Sequence, residues 1–285
     1  MTATAPIRLP MGPPLAAGHL LGWLAARAVT GIDAVDGRTY RRTACLDGAG
    51  GLLEVEVADE HLQLRIHGLP EETAIARVRA LVAADVDHAP ARAALASDAL
   101  LGPTVIASPG VRVIGTIDGY ELACRAVLGQ QVSVAGARTT TARLVAALGT
   151  PLPRRARIDA SWRTFPRPET LAASPLDGLG LTGARRRTLR ALAAAVRDGL
   201  RLDRGADIES TTAALLDLPG IGPWTAGYIA MRALGDPDAF PAGDLGLLRG
   251  SRHLGGPGDA RDLAVCSERW RPYRAYAAEC LWSVA

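Results

Sequence analysis

The residues with the clearest capacity for chemistry lie between positions 217 and 244 of the chain. A Leu-Pro-Gly-Ile-Gly turn between two helical stretches is typical of a helix-hairpin-helix, predicted here at about 211–234. Gly220 and Gly222 of this turn allow backbone N–H groups to approach a nucleic-acid phosphate closely. Asp244 follows 20 residues after Trp224, beyond the second helical stretch. The pattern predicts a phosphate anchor with a carboxylate behind it, as in an enzyme that holds a DNA strand and acts on one nucleotide.

The cysteine and basic residues of the chain indicate neither a metal site nor Schiff-base chemistry. The cysteines are scattered and form no Cys-x-x-Cys pair, at Cys45, Cys124, Cys266 and Cys280. Neither a zinc site nor a four-cysteine iron–sulfur cluster is therefore expected, and no cofactor is predicted. All 32 basic residues are arginine. No side-chain amine exists to form a Schiff base with a sugar aldehyde.

Charge is distributed unevenly along the chain, although the net charge is only +3. Residues 1–110 hold 9 Arg against 12 acidic residues, whereas residues 154–204 hold 12 Arg against 5. The densest cluster comprises Arg185, Arg186, Arg187 and Arg190. Alone, such a cluster is typical of a solvated helix face, but just before a phosphate anchor it favours contact with DNA phosphates. No apolar run approaches the ~20 residues of a membrane span, and the chain is expected to be a cytoplasmic monomer.

The elements that must position these residues divide into two regions. Alternating strands at 41–46, 52–57 and 62–66, between helices at 16–28 and 70–84, predict an α+β unit. Helical patterns dominate from residue 89 onward, at 118–128, 133–148, 170–173, 183–200, 211–216, 225–234 and 272–282. Residues 256–263 fit either a loop or a short helix. The predicted fold is α+β, an N-terminal antiparallel sheet with helices (1–110) followed by an all-α domain (111–285).

Four blocks of sequence carry a family resemblance that covers nearly the whole chain. They are Pro13-Pro14 with residues 21–28, residues 125–135, residues 218–226 with Asp244, and residues 268–276 with Leu281-Trp282. In this order they resemble the helix-hairpin-helix DNA glycosylases, in particular the bacterial 3-methyladenine DNA glycosylase II (AlkA) type. A single Gly-x-Gly hairpin is weak support, whereas four blocks in order are specific. The resemblance implies a TATA-binding-protein-like sheet domain followed by a helical bundle, with the active site in the cleft between lobes.

The resemblance also implies a reaction. Such enzymes flip a damaged base out of duplex DNA and hydrolyse its N-glycosidic bond in base excision repair, leaving an abasic site. Positive charge builds on the deoxyribose, and a facing carboxylate stabilises that state and can orient a water. Asp244 matches this residue, although its spacing alone also fits a helix cap. Trp224 occupies the position of the nucleophilic lysine in lyase-competent relatives, so no lyase activity is expected.

The same resemblance assigns a base pocket to Trp224, Tyr228, Trp282 and Trp23. Aromatic faces attract an alkylated, positively charged base by cation–π contact, worth roughly 0.5–2 kcal/mol. Core packing is the alternative interpretation for any aromatic residue in an apolar helix. His19 stands where a relative has another aromatic residue, so the pocket wall differs there.

DNA-contacting residues follow from the resemblance in two places. Gln131 is the expected wedge that fills the space left by the flipped nucleotide, where the best-known relative has leucine. Gly220, Gly222 and Thr225 are expected to hold a phosphate. The carbonyls of Leu216, Leu218 and Ile221 are expected to bind a monovalent cation, Na⁺ or K⁺, which bridges to DNA as a structural ion.

Other functions compete with an alkylbase glycosylase acting on double-stranded DNA. The chain could be a non-catalytic helix-hairpin-helix DNA-binding module, which an Asp244→Asn variant would distinguish. A glycosylase for an oxidised purine or a mismatched adenine is a second alternative, although the adenine-specific relatives usually carry an iron–sulfur cluster. A third is one segment of a larger fusion with an alkyl-transfer domain.

Overall fold

A five-stranded antiparallel sheet forms the first part of the fold in a computed structural model, which describes residues 5–12, 15–58, 60–153, 156 and 159–285. The strands are β1 (Ile7–Pro10), β2 (Asp33–Asp36), β3 (Thr39–Leu46), β4 (Ala49–Val57) and β5 (His61–His67). Their spatial order is β1-β5-β4-β3-β2. The alternating pattern of β5 buries Leu62, Leu64 and Ile66 on one face, where they pack against two helices, α1 (Ala17–Arg27) and α2 (Glu71–Leu81).

Helices make up nearly all of the remaining chain. They are α3 (Ala89–Ala96), α4 (Gly102–Ala107), α5 (Gly119–Leu128), α6 (Val134–Leu148), α7 (Pro168–Ala173), α8 (Gly183–Arg197), α9 (Ile208–Leu216), α10 (Pro223–Ile229), α11 (Leu245–His253), α12 (Ala260–Ser267) and α13 (Arg274–Ser283). A π-helical segment, Ala230–Leu234, continues α10 directly. The predicted fold class, an antiparallel sheet followed by a helical bundle, is confirmed.

Side-chain caps explain where several of these helices begin. Asp118 accepts a hydrogen bond from the backbone N–H of Glu121 at 3.0 Å and so caps the start of α5. Ser133 caps α6 in the same way, and Thr182 caps α8. Each cap satisfies one of the N–H groups that a helix start leaves without an internal partner. These caps fix the turns that precede α6 and α8, which border the candidate DNA-binding surface.

Several elements differ from the sequence-based expectation, among them α3 and α4, which no individual helix prediction covered. Strands β1 and β2 were not predicted, and each is only four residues long. Helix α11 was also not predicted, and it begins immediately after Asp244. Residues 256–263 divide between a loop and the start of α12. The Pro13-Pro14 pair of the resemblance lies outside the described residues.

A buried network of charged residues joins the sheet to α5. Arg42 of β3 donates to Glu121 Oε2 at 2.6 Å, and Arg125 donates to Glu121 Oε1 at 2.9 Å. Tyr40 donates to Asp33, which also lies 3.6 Å from Arg125. Burial alone would raise the pKa of Glu121, but the charges of Arg42 and Arg125 outweigh burial and hold that pKa below its ordinary value. The network anchors α5, whose C-terminal end leads into the turn that carries Gln131.

No helix among the described residues is long and apolar enough to cross a membrane.

Candidate active site and nucleic-acid interface

Asp244 occupies the N-cap position of α11, and one of its two carboxylate oxygens is fully engaged. Oδ1 accepts hydrogen bonds from the backbone N–H groups of Gly246 at 2.8 Å and Leu247 at 3.1 Å. Trp282 Nε1 donates to the same oxygen at 2.8 Å. Within the described part of the chain, Oδ2 accepts no hydrogen bond. The helix cap therefore fixes the orientation of the carboxylate and leaves one oxygen free for a ligand.

Two glycines allow α11 to approach α13 closely enough for this contact. A Cβ atom added at Gly250 would lie 1.9 Å from the carbonyl oxygen of Leu281 in α13. At Gly246 it would lie 2.8 Å from Trp282 Cδ1. The two glycines are four residues apart and thus lie on one face of the helix. Their missing side chains bring Asp244 within hydrogen-bond distance of Trp282.

The predicted pocket aromatics lie together beside Asp244. Trp224 and Tyr228 stack with ring centroids 5.5 Å apart and an interplanar angle of 8°. Tyr228 meets Trp282 edge to face, with centroids 6.4 Å apart. All three rings are partly exposed, so they form an open aromatic wall rather than a closed core. The wall continues to the carboxylate through the Trp282 hydrogen bond.

The fourth aromatic, Trp23 of α1, joins the wall through a buried arginine. The guanidinium carbon of Arg232 lies 5.0 Å from the Trp23 ring centroid, 5.6 Å from that of Tyr228 and 4.9 Å from that of Trp282. Arg232 is only 1% exposed and pairs with Glu279, which is also buried. His19 stands where a relative has an aromatic residue, and its Nε2 lies 3.4 Å from Glu279 Oε2. One buried ion pair therefore underlies the aromatic wall.

The charge of this ion pair is balanced within the site. Burial alone would raise the pKa of Glu279. The positive charge of Arg232, together with the contact to His19, outweighs burial and holds the pKa of this carboxyl below its ordinary value. Glu279 remains ionised at neutral pH and neutralises Arg232, so the pair adds no net charge beneath the rings.

The hairpin between α9 and α10 presents backbone donors on its outer side. Within the described residues, the N–H groups of Gly220, Gly222, Trp224 and Thr225 donate to no backbone or side-chain acceptor. Gly220 adopts a left-handed conformation, with φ of 82°. Its side-chain position is also blocked, because a Cβ would lie 2.2 Å from Thr188 Oγ1 of α8. These free donors at a helix N-terminus form an anion-binding geometry.

The predicted hairpin residues do not all face outward. The Thr225 side chain is 3% exposed, and its hydroxyl accepts a hydrogen bond from Gln130 Nε2 at 2.9 Å. Because the Thr225 hydroxyl is buried against Gln130, the donor that Thr225 offers to a phosphate is its backbone N–H. The carbonyl of Leu218 accepts a hydrogen bond from the N–H of Ile221 at 3.1 Å. Among the described residues, no turn or cap N–H donates to the carbonyls of Leu216 and Ile221.

Gln131 lies at the tip of the turn between α5 and α6, where a wedge was predicted. It is exposed and adopts φ of 56°, which few residues other than glycine adopt. Val132 and Val134 beside it are 43% and 50% exposed. The turn thus presents an amide flanked by apolar side chains to the solvent, a composition suited to entering a base stack.

The arginine cluster on α8 splits into engaged and free members. Arg186 pairs with Asp177, and Arg190 donates to the carbonyl of Ala172. Arg185 donates to the carbonyl of Gln130 at 2.6 Å. Arg187 is exposed and has no partner within the residues the structure describes. The part of the cluster that can contact phosphate directly is therefore smaller than its composition indicates.

Arg232, Glu279 and Gln130 belong to the site although no sequence motif predicted them. Arg232 and Glu279 are isolated charges in apolar helical stretches, Tyr228-Ile-Ala-Met-Arg232 and Tyr276-Ala-Ala-Glu279-Cys. A lone charge on an apolar helix indicates a buried ion pair, because an unpaired buried charge is too costly. That signal could have linked the two residues. Gln130 carried no comparable signal, since its partners lie far away in the sequence.

Comparisons with known proteins agree with this geometry. Two family models match the chain, the AlkA N-terminal domain over residues 6–118 and the HhH-GPD superfamily of base excision DNA repair proteins over residues 124–274. In fold, the chain matches the 3-methyladenine DNA glycosylase from Archaeoglobus fulgidus with a TM-score of 0.82 and 20% identity, covering 97% of both chains.

Two curated relatives are similar over most of this chain. It is 44% identical over 284 residues to the probable bifunctional transcriptional activator/DNA repair enzyme AlkA of Mycobacterium tuberculosis, covering 98% of this chain but 57% of that protein. The chain thus spans little more than half the length of that relative. It is 33% identical to DNA-3-methyladenine glycosylase 2 of Escherichia coli, covering 95% of this chain and 94% of that enzyme. The resemblance read from the four sequence blocks is confirmed, and the chain belongs to the HhH-GPD superfamily of base excision DNA repair proteins.

Proposed function

We propose that this protein is a monofunctional DNA glycosylase that extrudes alkylated purines of the 3-methyladenine type from duplex DNA and hydrolyses their N-glycosidic bond. One observation carries the proposal. The Asp244 carboxylate is held through Oδ1 by three N–H donors, keeps Oδ2 free, and stands beside an open aromatic wall. A carboxylate fixed in this way is preorganised to stabilise developing positive charge.

The reaction begins with recognition of the backbone. The free N–H groups of Gly220, Gly222 and Thr225 bind a phosphate, and Gln131 enters the space that the extruded nucleotide leaves. The base then stacks on the aromatic wall, which places its sugar near Asp244. The backbone N–H groups and Asp244 Oδ2 used here have no hydrogen-bond partner among the described residues.

Bond cleavage follows at C1′ of the deoxyribose. The bond from C1′ to the base breaks with its electron pair leaving on the base, which neutralises a cationic alkylated purine. Asp244 Oδ2 stabilises the positive sugar and orients a water, whose oxygen bonds to C1′ while its proton passes to the carboxylate or to solvent. An abasic site remains in an intact strand.

The balanced ion pair beneath the wall is compatible with a cationic base. Because Glu279 neutralises Arg232, the pair does not repel a second positive charge on the outer side of the rings. Cation–π attraction of roughly 0.5–2 kcal/mol then favours a base alkylated at a ring nitrogen over its undamaged parent. This is the feature that supports alkylated purines rather than another lesion.

Hydrolysis without strand cleavage is expected because the sequence contains no lysine to act as an amine nucleophile. Trp224 stands at the first turn of α10, where lyase-competent members of the superfamily carry a lysine, and the sequence contains no lysine. Without a side-chain amine, no Schiff base forms with the opened sugar, and β-elimination is not promoted.

A structural cation at the hairpin fits the groups present. Among the described residues, no turn or cap N–H donates to the carbonyls of Leu216 and Ile221, and the Leu218 carbonyl retains a second lone pair. Neutral carbonyl oxygens suit a hard monovalent cation such as Na⁺ or K⁺, which would add positive charge near the bound phosphate.

The first experiment measures base release from a duplex that carries one alkylated purine, before and after alkali treatment. Wild type is expected to release the base and to give strand breaks only after alkali. Asp244→Asn is expected to lower the single-turnover rate about 100-fold or more, because it removes the charge facing the sugar. Asp262→Asn changes an exposed carboxylate on α12 and serves as the control.

Two results would contradict the proposal. DNA binding by wild type without base release would favour another lesion or a binding module. Strand breaks without alkali would contradict the absence of lyase activity, even if Asp244→Asn proved inactive.

A further inference from the structure

We propose that Gln130 and Arg185 are positioning residues that join the wedge turn to the phosphate-binding hairpin and to α8. The wedge turn is defined here as residues 129–132. In this proposal, gripping a phosphate and inserting Gln131 are one rigid-body event rather than two independent ones. The inference rests on the proposed function and assigns roles to two residues that act through Gln131 and the hairpin.

The Gln130 side chain makes the direct connection to the hairpin. Its Nε2 donates to the carbonyl of Gly220 at 3.0 Å and to the hydroxyl of Thr225 at 2.9 Å. These partners lie 90 and 95 residues further along the chain. Gly220 and Thr225 also carry two of the free N–H groups that form the anion-binding geometry. One amide therefore bridges the residue before the wedge to the phosphate anchor.

Helix α8 holds the same residue from the other side. Arg185 donates to the Gln130 carbonyl at 2.6 Å. The third side of the assembly is the contact between Gly220 and Thr188 of α8, where no Cβ atom would fit. The wedge turn, the hairpin and α8 thus each contact the other two. Both the backbone and the side chain of Gln130 are fixed before DNA arrives.

The conformation of Gln131 explains why such bracing is useful. A non-glycine residue at φ of 56° is strained and persists where its surroundings hold it. Gln131 itself makes no hydrogen bond to the described residues, so the restraint must come through its neighbour. A turn that is already ordered does not lose further conformational entropy when it enters the base stack.

Phosphate binding should not depend on the bridge itself. The Thr225 hydroxyl and the Gln130 amide point toward each other, whereas the phosphate donors are backbone N–H groups. Removing the bridge therefore leaves contacts to undamaged DNA in place. It should weaken only the step in which the turn enters the duplex, and this distinguishes a positioning role from a general loss of binding.

The test measures the dissociation constant for a duplex with a tetrahydrofuran abasic analogue and for the matched undamaged duplex. A 2-aminopurine beside the analogue reports opening of the base stack by its fluorescence. Gln130→Ala is expected to reduce the preference for the analogue about tenfold, since two hydrogen bonds are lost, with little change for undamaged DNA. Thr225→Val should give a smaller loss in the same direction, and Thr225→Ser should restore most of it. Gln63→Ala, on strand β5, is the matched control.

A double-mutant cycle shows whether Gln130 and Thr225 act together through their hydrogen bond. If they do, Gln130→Ala/Thr225→Val loses no more than Gln130→Ala alone, whereas independent roles would multiply the two losses. Multiplied losses, or a Gln130→Ala preference equal to wild type in a normally folded protein, overturn the inference. So does the absence of any wild-type preference for the analogue. The binding readout does not require base release. A failed glycosylase assay would therefore refute the proposed function, while the double-mutant cycle would still decide whether Gln130 couples the wedge turn to the hairpin.

Discussion

Asp244 combines an observed structural role, as a helix cap, with the chemical role proposed for it. A capping aspartate and a catalytic aspartate were competing interpretations of the sequence, yet the structure shows the cap without excluding the chemistry. Oδ1 serves the helix and Trp282, while Oδ2 stays free of hydrogen bonds from the described residues. In this arrangement the cap acts as the support that a preorganised carboxylate requires.

Trp282 is expected to contribute through its indole N–H as well as through its ring. Trp282→Phe keeps an aromatic surface but removes the donor to Asp244 Oδ1, so the carboxylate loses one of its three restraints. We expect the single-turnover rate of base release to fall about tenfold, in line with a hydrogen bond to a charged group, while the dissociation constant for DNA changes little.

A second tryptophan separates the donor effect from the loss of an indole. Trp162→Phe alters a buried indole that packs with Leu52 and Leu152, away from the candidate site. Equal losses of rate in the two variants, after correction for folding, would contradict a specific role of the Trp282 N–H group.

At the scale of elements, the contact between α11 and α13 determines the geometry of the site. Asp244 begins α11 and Trp282 lies near the end of α13, so a shift between these helices changes their separation directly. Gly246 and Gly250 set how closely the two helices pack. The geometry of the candidate site therefore depends on two glycines that, under the proposed function, touch neither the base nor the sugar.

Gly250→Ala should separate these helices. Its Cβ would meet the Leu281 backbone, which cannot move aside as a flexible side chain could. We expect the free energy of unfolding to drop by about 1–3 kcal/mol from overpacking, and base release to fall further than the loss of folded protein explains. Chemical denaturation together with single-turnover kinetics checks this.

Gly243→Ala provides the matched comparison for this substitution. Gly243 precedes Asp244, and a Cβ there meets no atom within 4 Å. Wild-type stability and activity are expected for it. Comparable damage from both alanines would show that the loop before α11, rather than the helix contact, controls the site.

The elements differ in how well the sequence predicts them, for identifiable reasons. Strands β3 to β5 and the hairpin were predictable because alternation and the Pro-Gly-Ile-Gly turn are local signals. Helix α11 was not, because Gly246 and Gly250 lower its helix propensity and are present for packing against a distant helix. Strands β1 and β2 are too short for a periodic pattern. The Gln130 bridge is formed by residues far apart in the sequence, so only the fold reveals it.

At the scale of the whole molecule, charge is unevenly distributed between the two regions of the chain. Residues 1–110 lean acidic, whereas residues 154–204 are rich in arginine, and Arg185 of this second region donates to the wedge turn. Many arginines are already paired or bound to carbonyls, as Arg186 and Arg190 show. Under the proposed function, the electrostatic attraction for DNA depends on the arginines that remain free.

Arg187 tests this view of the surface. It is exposed on α8 and unpartnered among the residues described, so Arg187→Ala should remove one phosphate contact. We expect the plot of log binding constant against log salt concentration to become shallower by about 0.9 for undamaged duplex. Arg8→Ala, an exposed arginine on strand β1, should leave the slope unchanged. Equal effects from both variants would place the DNA on a different face.

The aromatic wall has an optical consequence. Trp23, Trp224 and Trp282 are three of the five tryptophans in the chain, and all three lie in or beside the same pocket. Indole emission responds to stacking and to nearby charge, so a base that slides onto this wall must alter the intrinsic fluorescence of the protein. The protein thus contains its own unlabelled reporter, which under the proposed function would time the arrival of an extruded nucleotide separately from the breaking of its bond.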